Sequence, residues 1–117
     1  MASKITKIAS TATTIIGGSN TINITGNLKL RVKSVHFCND TGSAETIQVY
    51  FVPNGGTATN GADGNKISSD YAMASKAEGV LDVGEMILEA GDSLQAVGTT
   101  GDLVNVVVTY EIVPVGR

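Results

Sequence analysis

Apolar residues recur at every second position through most of this 117-residue chain. The alternating sets are Ile22 and Ile24, then Leu28, Leu30 and Val32, then Ile47, Val49 and Phe51, and finally Val104, Val106, Val108, Tyr110 and Ile112. Because successive side chains of a strand point to opposite faces, this period places each set on one side of a pleated sheet. The pattern therefore predicts an all-β chain.

Clusters of turn-forming residues separate the apolar runs. We predict strands at about 5–15, 20–25, 28–38, 45–53, 66–72, 79–83, 85–97 and 103–113. Turn clusters about ten to twenty residues apart are typical of an antiparallel sandwich and not of βαβ units. We expect one domain over residues 1–117, an antiparallel β-sandwich of about eight strands that is either jelly-roll or immunoglobulin-like. Residues 1–16 form either an N-terminal arm or the first strand.

Two segments depart from simple alternation. In 28–38, Leu30 and Val32 occupy even positions, whereas Val35 and Phe37 occupy odd ones, so we predict a β-bulge near Lys33 and Ser34 that re-aims the later side chains. In 69–78, good helix formers allow a short helix ending at Gly79, but their apolar residues form no stripe and we favour the strand.

The last predicted strand is apolar on both faces, because Leu103 and Val107 lie opposite Val104, Val106 and Val108. Such a strand is either central in a sandwich or covered by another chain. Aromatic residues make up only 4% of the chain, so the second reading has weight, and a homo-oligomer is its usual form.

Composition argues against several function classes. The net charge of −3 leaves no electrostatic footprint for nucleic acid, and no apolar run is long enough to span a membrane as a helix. One His and one Cys exclude an internal disulfide and a zinc knuckle. We expect no membrane partner, no signal peptide and synthesis in a cytoplasm.

The residues offer little chemistry. His36 and Cys38 are two apart on a strand and form the one metal-like pair, while zinc needs about four ligands. The 13-residue stretch 53–65 exceeds the usual connection, and Asp63 within it allows a loop ion as an alternative. No nucleophile elbow accompanies the single His. We therefore expect no catalytic residues, no cofactor and no metal.

Four ordered segments cover roughly residues 28–112: a strand ending in Cys38-Asn39, a strand ending in Pro53-Asn54-Gly55-Gly56, a hairpin at Leu88-Glu89-Ala90-Gly91-Asp92-Ser93, and a closing strand that includes Val104-Asn105-Val106. As a set they resemble a family of small β-sandwich virion proteins of tailed bacteriophages. The resemblance implies a structural, non-enzymatic role in the virion. Within that family we favour a capsid decoration (cement) protein that binds the major capsid protein or other virion proteins, as a homo-oligomer with a trimer favoured.

Two alternatives stay open at this point. One is a tail, neck or fibre component of the virion. The other is a carbohydrate-binding sandwich that uses the loop at 53–65, with Tyr50, Phe51 and Tyr71 as its aromatic platforms. For an assembly role, ten residues are candidate subunit contacts: Ile5, Ile8, Ile15, Ile16, Asn54, Gly55, Asn60, Asp63, Leu103 and Val107.

Overall fold

The computed structural model describes residues 2–10, 12–17, 28–39, 42, 44–57, 66–81, 86–98 and 104–114. All regular elements in these ranges are strands. They are β1 (Ala2–Ile8), β2 (Thr13–Gly17), β3 (Leu28–Asn39), β4 (Glu45–Val52), β5 (Lys66–Met73), β6 (Glu78–Leu81), β7 (Met86–Leu88), β8 (Ser93–Gly98) and β9 (Val104–Pro114).

The described strands form two antiparallel sheets that enclose one core. The five-stranded sheet has the order β1-β9-β3-β6, with β7 also paired to β3, and the four-stranded sheet has the order β2-β8-β4-β5. The pairings are nested, since β1 pairs with β9, β2 with β8, β3 with β6 and β4 with β5. Nested antiparallel pairs wound across two sheets are the jelly-roll arrangement. The prediction of an antiparallel β-sandwich is confirmed, and its strand order is that of the jelly roll.

The core lies between the inner faces of the two sheets. Fully buried apolar side chains come from both of them: Ile8, Leu30, Val32, Val35, Phe37, Leu88, Val104, Val106 and Val108 from the five-stranded sheet, and Ile15, Ile16, Ile47, Val49, Leu94 and Ala96 from the other. Each large aliphatic side chain buried in this way contributes about 1.5–3 kcal/mol of transfer free energy. The period-two pattern of the sequence is therefore the pattern that fills this core.

The predicted bulge in β3 is confirmed. The register between β3 and β9 shifts between Val32 and Ser34, so Lys33 is the extra residue. Leu30 and Val32 before the shift, and Val35 and Phe37 after it, are all fully buried. A bulge adds one residue and so brings the following side chains back to the core face, which is why the parity of the apolar residues changes there.

Two of the predicted strands are each divided. The segment predicted at 5–15 contains β1 and β2, which belong to different sheets, and Gly98 N donates a hydrogen bond to Ala9 O (2.9 Å) where the chain crosses. The segment predicted at 85–97 is divided into β7 and β8 by the turn at 89–92. The strand predicted at 20–25 lies outside the described residues.

The helix considered for 69–78 does not form. Strand β5 continues to Met73, a turn closes with a hydrogen bond from Ala77 N to Ala74 O (3.1 Å), and β6 begins at Glu78. Gly79 lies inside β6 and does not end a helix. Pairing with β4 and β3 satisfies the backbone groups of this segment along neighbouring strands, and this outweighs its local helix propensity.

Candidate interaction surface

The outer face of the five-stranded sheet carries a row of side chains from four neighbouring strands. Ile5 of β1 is opposite Val107 of β9, Val107 is opposite His36 of β3, and His36 is opposite Val80 of β6. Opposite residues of an antiparallel pair lie side by side on the same face, with Cβ atoms about 4.5–5.5 Å apart. Ile5, Val107, His36 and Val80 are named here the outer row.

The outer row is mostly apolar and open to solvent. Ile5 is 64% exposed and Val80 is 60% exposed, the two largest values among the exposed large hydrophobic residues of the described part of the chain. Val107 is half-buried between its neighbours. Exposed apolar side chains grouped on one face, with polar residues around them, mark protein–protein contact sites.

Polar residues lie on both sides of the outer row. The next row toward one end of the sheet consists of Lys7, Asn105, Cys38 and Glu78, and the next row toward the other end consists of Ser3, Thr109 and Ser34. Ser3 Oγ lies 3.3 Å from Thr109 Oγ1. The apolar residues therefore form one narrow row with a polar border.

His36 is the polar member of the outer row. Its Nε2 lies 3.0 Å from Glu78 Oε1, and because a carboxylate only accepts, the ring N–H donates. Both side chains are largely open to water, at 45% exposed for His36 and 69% for Glu78. Water competes for such a pair on an open sheet face, so the pair orients the His36 ring without forming a shielded acid–base site.

Farther along β3, two cations, Arg31 and Lys33, meet an acidic residue of β9. Arg31 Nη1 donates to Glu111 Oε1 at 2.7 Å, and Lys33 Nζ lies 4.0 Å from the same oxygen. Each of these side chains is about a quarter to a third exposed. Glu111 therefore offsets part of the positive charge of Arg31 and Lys33, and exposed pairs of this kind contribute about 0.2–1 kcal/mol.

The metal-like pair of the sequence lies in two neighbouring rows of this face. His36 and Cys38 both point outward from β3, and Cys38 is a half-buried free thiol. Within the described ranges, no group of three or more His, Cys, Asp and Glu side chains is arranged to hold a metal ion. Asp63, the other candidate ligand, lies outside the described residues.

The ten predicted contact residues fall into four groups. Ile5 and Val107 belong to the outer row. Asn54 and Gly55 are exposed in a turn. Ile8, Ile15 and Ile16 are fully buried in the core of their own chain, so their side chains are not part of the surface. Asn60, Asp63 and Leu103 lie outside the described residues.

The burial of these three isoleucines has a simple physical basis. Ile8 is three residues from Ile5, and strand alternation therefore places it on the opposite face of β1. Ile15 and Ile16 are consecutive, yet both are buried, and the register of β2 with β8 shifts between Thr14 and Ile16.

His36 and Val80 were not predicted as contacts, because only the pairing of β3 with β6 brings Val80 into the row.

Asn54 and Gly55 lie in the turn at residues 53–56, which packs against the turn at residues 89–92. The two turns together are named here the turn pair. Asp92 connects them: its Oδ1 accepts from Asn54 N at 3.0 Å and its Oδ2 accepts from Glu89 N at 3.1 Å. Gly55 and Gly91 have φ of 81° and 86°, the left-handed region that favours glycine. These hydrogen bonds hold the described start of the long loop against the turn between β7 and β8. The hairpin predicted at 88–93 is wrong, because β7 and β8 belong to different sheets and the turn crosses between them.

The aromatic residues considered for sugar binding are buried or partly buried where they are described. Tyr50 is 3% exposed, and its hydroxyl donates to Gln48 Oε1 at 2.9 Å. Phe51 is partly buried and packs against the core. The side chain of Tyr71 lies outside the described part of the molecule. Tyr50 therefore offers no open ring face to a sugar.

In the described part of the chain there is no helix long and apolar enough to cross a membrane. No family model, no curated protein and no solved structure matches this chain. The resemblance to virion proteins stays a prediction based on the ordered segments of the sequence.

Proposed function

We propose that this chain is a non-enzymatic structural protein of a tailed-phage virion, and within the virion a capsid decoration protein that binds capsomer junctions. The observation that carries the proposal is the outer row, in which Ile5, Val107 and Val80 present apolar side chains on an open sheet face between two polar rows. The identity of the partner as a virion protein comes from the resemblance of the ordered sequence segments.

Low charge supports contact through buried area. Charged residues make up 16% of the chain, against about 25% in an average soluble domain. When a partner covers Ile5 and Val80, their exposed apolar surface is removed from water. Each Å² removed contributes about 25 cal/mol of favourable transfer free energy. An interface of this kind depends weakly on salt, whereas one that relies on exposed ion pairs weakens as salt is added.

The fold is compatible with this role but does not decide it. Jelly rolls occur in viral capsid proteins and in lectins, and function is carried by the site and not by the fold. On this chain the lectin alternative loses support, because Tyr50 is buried and Phe51 packs against the core. Catalysis also has little support, because His36 and Glu78 lie on an open face where water competes for their hydrogen bond.

The proposal is tested on particles of the phage or prophage whose genome encodes the chain. Particles produced without this gene are purified and mixed with purified protein, and bound protein is measured after the particles are sedimented. We expect saturable binding of the wild-type chain. Val80→Lys, which places a cation in the outer row, is expected to weaken binding at least tenfold.

Ile112→Lys is the matched control, because Ile112 is a 46% exposed apolar residue of the same sheet that lies outside the outer row. It should bind like the wild type. A chain that never associates with particles contradicts the virion assignment, and equal binding by both variants contradicts the assignment of the outer row. Image reconstruction of the particle distinguishes a shell position from a tail, neck or fibre position.

A further inference from the structure

Among the described strands, β1 is an edge strand that is paired along one side, by β9. It pairs with β9 in a register that runs from Ala2 opposite Tyr110 to Ile8 opposite Val104 without a shift, and none of the other described strands pairs with it. A straight edge strand presents backbone N–H and C=O groups that can pair with a strand of another chain. Proteins commonly block such edges with a bulge or a proline, and β1 has neither.

We infer that β1 pairs with β1 of a second copy of this chain, about a two-fold axis that passes beside Ile5. A two-fold axis perpendicular to the sheet places one residue opposite itself and keeps the outer faces of both copies on the same side. With Ile5 on the axis, the opposite positions are Ile5 with Ile5, Lys4 with Thr6, Ser3 with Lys7, and Ala2 with Ile8.

The sequence of β1 favours this register over its neighbours. With Ile5 on the axis, all of Ala2–Ile8 is paired and no lysine is opposite another lysine. With Lys4 on the axis, Lys4 is opposite itself, and like charges directly opposite each other destabilise a strand pair. With Thr6 on the axis, only residues 4–8 are paired, and Ile5 is opposite Lys7. Lysines on an edge usually discourage pairing, but in the Ile5 register Lys7 is opposite the hydroxyl of Ser3.

The exposure of Ile5 is explained by this pairing. At 64%, Ile5 is the most exposed of the large hydrophobic residues in the described ranges, and in the dimer it packs against its own copy. The two outer rows then join into one row that runs from Val80 of one protomer through both Ile5 side chains to Val80 of the other. The inference does not depend on the virion proposal, but it doubles the surface which that proposal uses.

The pairing is expected to be reversible. A seven-residue strand is about 24 Å long, and an interface built on one strand pair falls below the roughly 1,200 Å² that stable complexes bury. The mass in solution should therefore rise with concentration from one chain of 12.0 kDa to two. A trimer, which was the expectation from the sequence, cannot arise from this symmetric contact.

The test measures mass by analytical ultracentrifugation from micromolar to millimolar concentration. We expect a monomer–dimer equilibrium for the wild type and a monomer at every concentration for Ile5→Lys, in which the axis places two cations opposite each other. Ile67→Lys is the control, because Ile67 is a 45% exposed residue of β5, an edge strand of the other sheet. The Ile67→Lys protein should dimerise like the wild type.

A cross-linking experiment tests the register itself. In a Cys38→Ser background, Ile5→Cys places two thiols opposite each other, at a Cα separation of about 4.5–5.5 Å that a disulfide can span. In the same background, Lys7→Cys places its thiols four residues apart along the strands, about 13 Å, which a disulfide cannot span. Oxidation should give a covalent dimer of the Ile5→Cys protein alone.

Several results overturn the inference: a wild-type chain that stays monomeric, a trimer, a dimer that Ile67→Lys disrupts, or cross-linking through Lys7→Cys. Each of them leaves the virion proposal intact, because particle binding by the outer row is measured separately. Conversely, a dimer with the expected cross-link that never associates with particles supports the pairing and contradicts the virion proposal.

Discussion

Gly91 packs so closely against Asn54 that an added β-carbon at position 91 would lie 2.8 Å from Asn54 Cβ and closer still to the Asn54 amide. The two residues belong to the two turns of the turn pair and are far apart in the sequence. Gly91 also has φ of 86°, a conformation in which side chains are strained. Position 91 therefore requires glycine both for its backbone conformation and for the close approach of the other turn.

Replacement of Gly91 by alanine should destabilise the fold strongly. The left-handed conformation costs alanine about 1–2 kcal/mol, and displacement of Asn54 adds to this cost, so we expect a loss of about 2–4 kcal/mol. Urea denaturation measures the change. Gly55→Ala has a similar φ of 81° but no atom within 4 Å of the added carbon, so it should lose only about 1–2 kcal/mol. Equal losses at the two positions would show that the packing against Asn54 is unimportant.

Asp92 should contribute to stability through the two backbone N–H groups that it accepts. Asp92→Ala leaves Glu89 N and Asn54 N without these acceptors. Both hydrogen bonds are exposed, so water replaces part of what is lost, and we expect a loss of about 0.5–1.5 kcal/mol. Asp92→Asn keeps one carbonyl oxygen and should lose less than the alanine variant. Glu89→Gln, at an exposed position of the same turn, should stay within about 0.5 kcal/mol of the wild type in thermal unfolding.

Deletion of Lys33 should leave a folded protein, because Lys33 is the extra residue of the bulge. Without it, Val32 and Val35 are separated only by Ser34, and strict alternation keeps both on the core face. We expect a loss of no more than about 2 kcal/mol and a circular-dichroism spectrum that stays that of a β-protein.

Deletion of His36 is the matched comparison for the bulge. It moves Phe37 and Asn39 to the outer face, and truncation of a buried aromatic residue alone costs about 3–5 kcal/mol. This variant should therefore fail to fold. If both deletion variants fold equally well, or if the Lys33 deletion alone unfolds the chain, the register assigned to β3 is wrong.

Asn39 should be needed for the turn between β5 and β6. It is fully buried, and its Nδ2 donates to Ala74 O at 2.9 Å while its backbone N donates to Ala77 O at 2.9 Å. Asn39→Ala removes the side-chain donor and should cost about 1–3 kcal/mol in chemical denaturation. Asn105→Ala, on the half-buried outer face of β9, should cost about 0.5 kcal/mol or less. A smaller loss at position 39 than at position 105 would contradict this role.

Two of the four residues of the outer row can be predicted from the sequence. Val107 is predicted as a contact because it lies on the second apolar face of the last strand, and Ile5 because it lies in the possible N-terminal arm. Both belong to the outer row. Ile8, Ile15 and Ile16 were predicted with them, and the structure places all three in the core. For Ile8, the sequence already offers the correct answer, because residues three apart on a strand point to opposite faces and Ile5 and Ile8 therefore cannot both face outward. For Ile15 and Ile16, the register shift of β2 is visible only once β8 is beside it.

What the sequence by itself determined is the β class of the chain and, along β3 and β9, which side chains face the core, including the bulge at Lys33, because alternation is a property of consecutive residues. Only the tertiary structure decided which strands are neighbours. Ile5 lies beside Val107, His36 beside Val80 and Asn54 beside Asp92 because of pairing and turn contacts between distant parts of the chain. Local periodicity contains no information about such partners. They follow from the way two sheets close around one core, and this closure creates both the outer row and the edge of β1.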